Sequence, residues 1–247
     1  MIKEYGLIGY PLSHSFSQKY FTEKFEKEGI EAVFHAFSIP SIDDLPELLK
    51  TYPSLQGFAI TIPYKREVIK FLDNASNAVQ QMNACNCVSI REGKLYGYNT
   101  DVTGFEKSFV QHLKPFQTNA LVLGTGGASS AVEFVLEKLN IDYRFVSRTK
   151  DEVKNILSYD DLNEEIISKY KIIINCTPLG TYPKVDEAPA IPYHLITQQH
   201  YLFDLVYNPA KTKFLFLGEQ HGATIENGYE MLVLQAEENW KIWNDLI

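Results

Sequence analysis

Leu121-Val122-Leu123-Gly124-Thr125-Gly126-Gly127-Ala128-Ser129 is the stretch that decides the fold. An apolar run enters a cluster of glycines and leaves as a helix, the context that a dinucleotide fingerprint requires. Gly124 permits a tight turn and Gly126 lets the backbone approach a pyrophosphate, with Thr125 and Gly127 completing the loop. Small Ala128 and Ser129 let the helix pack on the strand, and the helix start offers unpaired N–H groups to phosphate. Ser129 stands where the strict pattern has its third glycine. For this stretch alone, a glycine turn that binds nothing is the alternative.

The apolar run at 144–147 leads into Ser147-Arg148-Thr149-Lys150. An NAD site places an acid at this strand end to bind the ribose 2′-OH, and here there is none. Arg148 can pair with a 2′-phosphate and cover an adenine face, while Ser147 and Thr149 can hydrogen-bond. NADP(H) is therefore expected over NAD, with a plain surface arginine as the competing reading. Further apolar runs at 120–123, 171–175, 201–205 and 223–226 are strand candidates, and the connections 128–139 and 152–157 read as helices. Such alternation predicts a parallel sheet with helices on both faces.

Toward the N-terminus the rhythm is similar. Gly6-Leu7-Ile8 reads as a strand, and Phe16, Tyr20, Phe21 and Phe25 form one stripe of a helix that ends at Gly29. Strands at 32–39 and 57–61 enclose a short helix at 42–50 opened by Ser41. A helix at 65–72 is expected next, then a hairpin at 86–99 turning at Glu92-Gly93, then a helix at 103–113. Lys114-Pro115-Phe116-Gln117 is the linker candidate. Residues 229–246 form an amphipathic helix with Leu232, Ala236, Asn239 and Trp243 on one side.

Composition narrows the function. At 247 residues one large or two small domains are expected. The formal charge of −8 disfavours a nucleic-acid or anionic-membrane partner, so a bound anion needs local positive charge such as Arg148. The opening residues lack the pattern of a signal peptide and no apolar run is long enough to span a bilayer, so a soluble, cytoplasmic protein is expected. Cys85, Cys87 and Cys176 form no CxxC pair, and the histidines show no ligand spacing; no metal is predicted.

Several junctions carry candidate chemistry. Ser13 and Ser15 flank a helix start and suit a carboxylate clamp. Lys65 follows Thr61-Ile62-Pro63-Tyr64 at a strand end, and Asp101 follows Asn99-Thr100 at the end of the hairpin. Taken singly, each is a surface charge or a cap. If the strands are parallel, such junctions gather along one edge of the sheet, and a lysine and an aspartate meeting there would form a proton-transfer pair.

These residues stand in ordered blocks: Gly9-Tyr10-Pro11-Leu12-Ser13-His14-Ser15, Gly57 through Lys65, and Gly97-Tyr98-Asn99-Thr100-Asp101. Gly124 to Ser129, Ser147-Arg148-Thr149, Ile174-Asn175-Cys176-Thr177 and Asp204-Leu205-Val206-Tyr207-Asn208-Pro209 follow. Asn227-Gly228-Tyr229 through Gln235-Ala236 closes the series. In this order the chain resembles the shikimate dehydrogenase family from residue 6 to about residue 243. The resemblance implies NADPH-dependent, reversible reduction of 3-dehydroshikimate to shikimate, a step of aromatic amino-acid biosynthesis. It implies a two-domain α/β fold: a substrate-binding domain at 1–101, completed by 229–247, and a Rossmann-type NADP-binding domain at 102–228.

Carried over by motif, Ser13 and Ser15 would hold the substrate carboxylate, and Thr61, Asn86, Tyr207 and Gln235 would contact the ring hydroxyls or the carboxylate. Lys65 and Asp101 would be the catalytic pair, with Lys65 either donating the proton or stabilising charge. On the cofactor side the matching positions are Gly124, Thr125, Gly126, Gly127, Ala128, Ser129, Ser147, Arg148, Thr149, Thr177, Leu205 and Gly228. The chain departs from the family where Ala59-Ile60-Thr61 replaces the common Asn-Val-Thr, where Thr177-Pro178 replaces Thr-Ser, and where Ser147 replaces a frequent Asn. A quinate-preferring dehydrogenase and a non-catalytic metabolite sensor are the rival readings. The assembly is expected to be a monomer or homodimer.

Overall fold

The computed structural model describes residues 2–12 and 16–246. The chain forms two compact units, Met1–Thr100 with Ala236–Ile247, and Asp101–Gln235.

The first unit is built on β1 (Lys3–Gly9), β2 (Ala32–Ser38), β3 (Leu55–Ile60), β4 (Asn74–Ala75), β5 (Cys87–Arg91) and β6 (Lys94–Tyr98), in the order β2-β1-β3-β5-β6-β4. Only β5 runs against its neighbours. It is antiparallel because β5 and β6 form a hairpin whose turn residues, Glu92 (φ 51°) and Gly93 (φ 74°), both lie in the left-handed region that a tight two-residue turn demands.

Helices α1 (Phe16–Glu28), α2 (Leu45–Thr51) and α3 (Asn77–Met82) belong to this unit. Period-2 alternation sorts side chains to two faces. Ile8, Phe58, Ile60 and Val88 join one cluster. Tyr5, Leu7 and Ala59 join Phe21, Phe25 and Phe34 in another, which Trp243 of the C-terminal helix completes. Trp243 lies so close to Gly57 that a Cβ there would stand 2.2 Å from its ring, and its Nε1–H donates to the Val88 carbonyl at 3.0 Å.

The second unit carries β7 (Asn119–Leu123), β8 (Asp142–Ser147), β9 (Leu157–Ser158), β10 (Ile172–Asn175), β11 (Tyr201–Asp204) and β12 (Thr224–Glu226). Its order is β12-β11-β10-β7-β8-β9, all parallel. This is the doubly wound order of dinucleotide-binding folds, with the switch point between β7 and β10. Helices α4 (Thr100–Phe109), α5 (Ser129–Lys138), α6 (Glu164–Lys169), α7 (Lys213–Gln220) and α8 (Tyr229–Trp243) complete the list. Helix α5 turns Ala131, Val132, Val135 and Leu136 inward. The division between units falls within α8. Among the described residues, no helix is long and apolar enough to cross a membrane.

The structure departs from the sequence expectations in places. Residues 152–157 form no helix. Asp151 and Ile156 instead exchange backbone hydrogen bonds of 3.1 and 2.8 Å around a turn, with Asn155 left-handed (φ 55°) and the Asp151 carboxylate accepting from Lys154 N–H. Asp and Asn stabilise such turns locally, and a segment this short cannot nucleate a helix. Residues 65–72 form turns followed by a 3-10 helix at Glu67–Phe71 rather than an α-helix. Helix α4 begins earlier than expected, which places Asp101 in its first turn, where the helix dipole favours an anion. Helices α3, α6 and α7 go beyond the expected elements; α3, capped by Ser76 at Val79 N–H, and α6, capped by Asn163 at Ile166 N–H, are too short to display a 3.6-residue period.

Candidate functional site

At the switch point of the second unit, β7 ends and the glycine loop begins. Gly124 (φ 98°) donates its N–H to the Val146 carbonyl at 2.8 Å, and a Cβ there would stand 2.9 Å from Thr177 Cγ2. Conformation and space both require glycine at this position. Gly126 and Gly127 differ, since a Cβ on either would meet nothing within 4 Å. The fold itself does not need them bare, and the room they leave is what a close-lying pyrophosphate requires.

The Ser129 hydroxyl donates to the Gly126 carbonyl at 2.7 Å, and its N–H reaches the same oxygen at 3.0 Å. Ser129 thus closes the loop from within, buried, while Thr125 and Ala128 are exposed.

A cavity of about 440 Å³ opens here. Gly124, Thr125 and Gly126 line one side, Val146, Ser147 and Arg148 another; Tyr159 and the stretch Cys176 to Leu179 close it. Of the expected cofactor residues, Gly124, Thr125, Gly126, Ser147, Arg148 and Thr177 meet at this cavity. Gly127, Ala128, Ser129, Thr149, Leu205 and Gly228 are not among its lining. Thr149 closes the turn that carries Arg148: its N–H donates to Ser147 Oγ at 3.2 Å and its carbonyl accepts from the same hydroxyl at 2.9 Å. That hydroxyl is engaged within the chain, so the exposed guanidinium is the charged donor that remains. Leu205 and Gly228 touch each other, and a Cβ on Gly228 would come within 2.1 Å of the Leu205 carbonyl.

Sequence reasoning missed Tyr159, because it follows β9, a strand hidden behind the turn at 151–156. Burial pushes its phenol up, and the Arg148 guanidinium partly offsets this, so a neutral hydroxyl and a cation share one cavity. Burial, aided by the Asp204 carboxylate, also pushes the Cys176 thiol up, which keeps it protonated. The glycine loop, the open space beside it, the cation and the absence of an acid at the end of β8 fit NADP(H). No group of three or more His, Cys, Asp or Glu suited to a metal occurs among the described residues.

In the first unit, Ser13 and Ser15 lie outside the described residues. Thr61, Lys65 and Asn86 are brought to one end of the sheet by strand register. Thr61 N–H donates to the Ile8 carbonyl at 2.9 Å, and its methyl lies where a Cβ on Gly9 would fall, at 2.5 Å. The Asn86 carbonyl accepts from Ile60 N–H at 2.8 Å, and the Lys65 carbonyl from Cys85 N–H at 2.7 Å. The turn bearing Lys65 is therefore pinned to the strand entry bearing Asn86.

Asn86 is buried, and its Oδ1 accepts from Thr100 N–H at 2.7 Å. With that oxygen committed, Nδ2 is the group left to donate. Thr100 Oγ1 also reaches Asn239 Oδ1 at 2.7 Å.

Asp101, Tyr207 and Gln235 belong to the second unit. Asp101 sits in the first turn of α4 and Tyr207 on an exposed turn after β11. Gln235 is buried on α8, beside Gly104, where a Cβ would stand 2.5 Å from the Met231 carbonyl.

Comparison with known proteins gives concordant findings. A family model described as shikimate dehydrogenase substrate binding domain matches residues 7–88. The shikimate dehydrogenase (NADP(+)) of Clostridium beijerinckii is 36% identical over 252 residues, covering 98% of this chain and 92% of that protein. The enzyme of the same name from Aquifex aeolicus is 34% identical over 97% of this chain and 90% of its own length. Among solved structures, shikimate 5-dehydrogenase from Thermus thermophilus, in complex with NADP(H) and shikimate, superposes with a TM-score of 0.85. Its identity is 28%, over 99% of this chain and 94% of that one.

Proposed function

The chain belongs to the shikimate dehydrogenase family, and we propose that it interconverts 3-dehydroshikimate and shikimate with NADP(H). It is an oxidoreductase acting on a CH–OH group. The observation that carries the cofactor assignment is the cavity at the switch point, where an open glycine loop faces Arg148 and no acid stands at the end of β8.

In the reducing direction, NADPH supplies a hydride to the ketone carbon. The carbonyl oxygen gains negative charge and takes up one proton. Lys65 either donates that proton or stabilises the charge while solvent water supplies it, and Asp101 is its partner and a hydroxyl anchor. Ser13 and Ser15 hold the substrate carboxylate, and Asn86 Nδ2, Thr61, Tyr207 and Gln235 recognise the remaining oxygens. Residues 1–101 with 229–247 form the substrate-binding part, and 102–228 the NADP-binding part. The free cysteines Cys85, Cys87 and Cys176 are consistent with work in the reducing cytoplasm.

The test is the near-ultraviolet absorbance of reduced nicotinamide, followed with purified protein, shikimate or quinate, and NADP⁺ or NAD⁺. Rapid reduction of NADP⁺ by shikimate, with quinate and NAD⁺ poor, is expected. Preference for quinate would overturn the substrate assignment, and silence with every pair would overturn catalysis.

A further inference from the structure

Asp204, the last residue of β11, is fully buried and has no part in the chemistry described above. Its Oδ1 accepts from Asn175 Nδ2 at 2.9 Å and from Val206 N–H at 3.0 Å, and its Oδ2 accepts from Thr212 O–H at 2.5 Å. Asn175, equally buried at the end of β10, passes the constraint on. Its Oδ1 accepts from Thr177 N–H at 3.0 Å and from Thr177 O–H at 2.6 Å. Thr177 Oγ1 then accepts from Leu179 N–H at 3.3 Å.

A primary amide can sit in either of two orientations, but a carboxylate only accepts. Facing Asp204, Asn175 must turn Nδ2 toward it and Oδ1 toward Thr177. That fixes the Thr177 hydroxyl inward, with the methyl group turned toward Gly124. The wall from Thr177 to Leu179 lines the dinucleotide cavity directly. The bond to Val206 N–H shapes the turn that presses the Leu205 carbonyl against Gly228.

We propose that Asp204 is a positioning residue for the dinucleotide, acting through Asn175 to set the wall formed by Thr177 to Leu179 beneath the glycine loop. The assignment rests on the reading that this cavity takes NADP(H).

Steady-state kinetics of the full chain test it. Asp204→Ala is expected to raise KM for NADP⁺ about tenfold, while kcat and KM for shikimate stay within about twofold. Asp204→Asn keeps an acceptor toward Asn175 and a donor toward Thr212, and is expected to recover most of that loss. A lower melting temperature for Asp204→Ala with both KM values unmoved, or raised equally, would overturn the proposal. Should Asp204→Ala fail to fold, Asn175→Ala severs the same link one step on, and absence of a selective rise in KM for NADP⁺ there overturns it too. Wild-type protein that does not bind NADP⁺ would sink the cofactor reading itself, whereas normal wild-type binding with indifferent variants sinks this inference alone.

Discussion

We propose that the guanidinium of Arg148, standing in place of an acid at the end of β8, separates two dinucleotides by one phosphate. Arg148→Ala should raise KM for NADP⁺ by roughly 10- to 100-fold, the loss of one charge-assisted contact, and leave whatever activity there is with NAD⁺ nearly unchanged. Equal losses with both would remove Arg148 from phosphate recognition. Lys65→Ala should lower kcat by about a hundredfold or more with little change in KM, and an unchanged kcat would remove it from the mechanism.

Asp204 gives a prediction of another kind. Burial pushes its carboxyl from 3.8 up to about 6, its three hydrogen bonds offsetting only part of the rise. Between those values the folded chain holds a proton that the unfolded chain has released, so the stabilisation is complete below about pH 3.8 and lost as pH rises through about 6. The difference is on the order of 2–3 kcal/mol. Asp204→Asn should therefore melt several degrees above wild type at about pH 8, with the gap closing as pH falls toward 4; a constant gap would contradict the assignment. Arg148 and the glycines are legible in the sequence because their meaning lies in adjacent residues. Asp204 and Tyr159 are not, because theirs arises from partners on other strands.

The loop between β7 and α5 can be probed without disturbing the sheet, since a methyl at Gly126 meets nothing. Gly126→Ala should leave the melting temperature within about a degree, yet weaken NADP⁺ binding severalfold. A large drop in melting temperature with unchanged binding would mean the glycine serves the fold. Most strands of both sheets are readable as short apolar runs because buried parallel strands repeat that pattern, but the two-residue β4 and β9 are too brief to show it. The reading fails at 152–157, where Glu, Lys and Leu suggest a helix but Asp151 and Asn155 close a turn sooner. It also fails at α3, α6 and α7, whose periods are too brief to register. The sequence puts Asp101 at a helix entry, and the structure sets it in the first turn of α4.

At the scale of the whole molecule, Ala236–Ile247 belongs with Met1–Thr100 although 135 residues, Asp101–Gln235, lie between them. Trp243 caps Gly57, and Trp240 and Trp243 pack on Tyr5 and Phe21. Ending the chain at residue 228 removes these rings and should abolish activity and lower the melting temperature of the first unit. Binding of 2′,5′-ADP should survive, because the switch-point cavity lies wholly within 124–179. Loss of both would show that the second unit depends on α8 more than its own contacts indicate. The sequence announces an amphipathic helix at 229–246, and the family resemblance returns it to the first domain; the packing of Trp243 against Gly57 supplies the physical reason.

That same return of the chain sets an order of events at the ribosome. Synthesis runs from residue 1 onward, yet the aromatic core of the first unit stays open until Trp243 has emerged, after every strand of the second unit has been made. The usual precedence of N-terminal domains during translation should thereby be inverted. Nascent chains arrested with residue 235 just outside the exit tunnel should resist protease across 101–235 while 1–100 is still cut. Release of the final turn of helix should then protect both together.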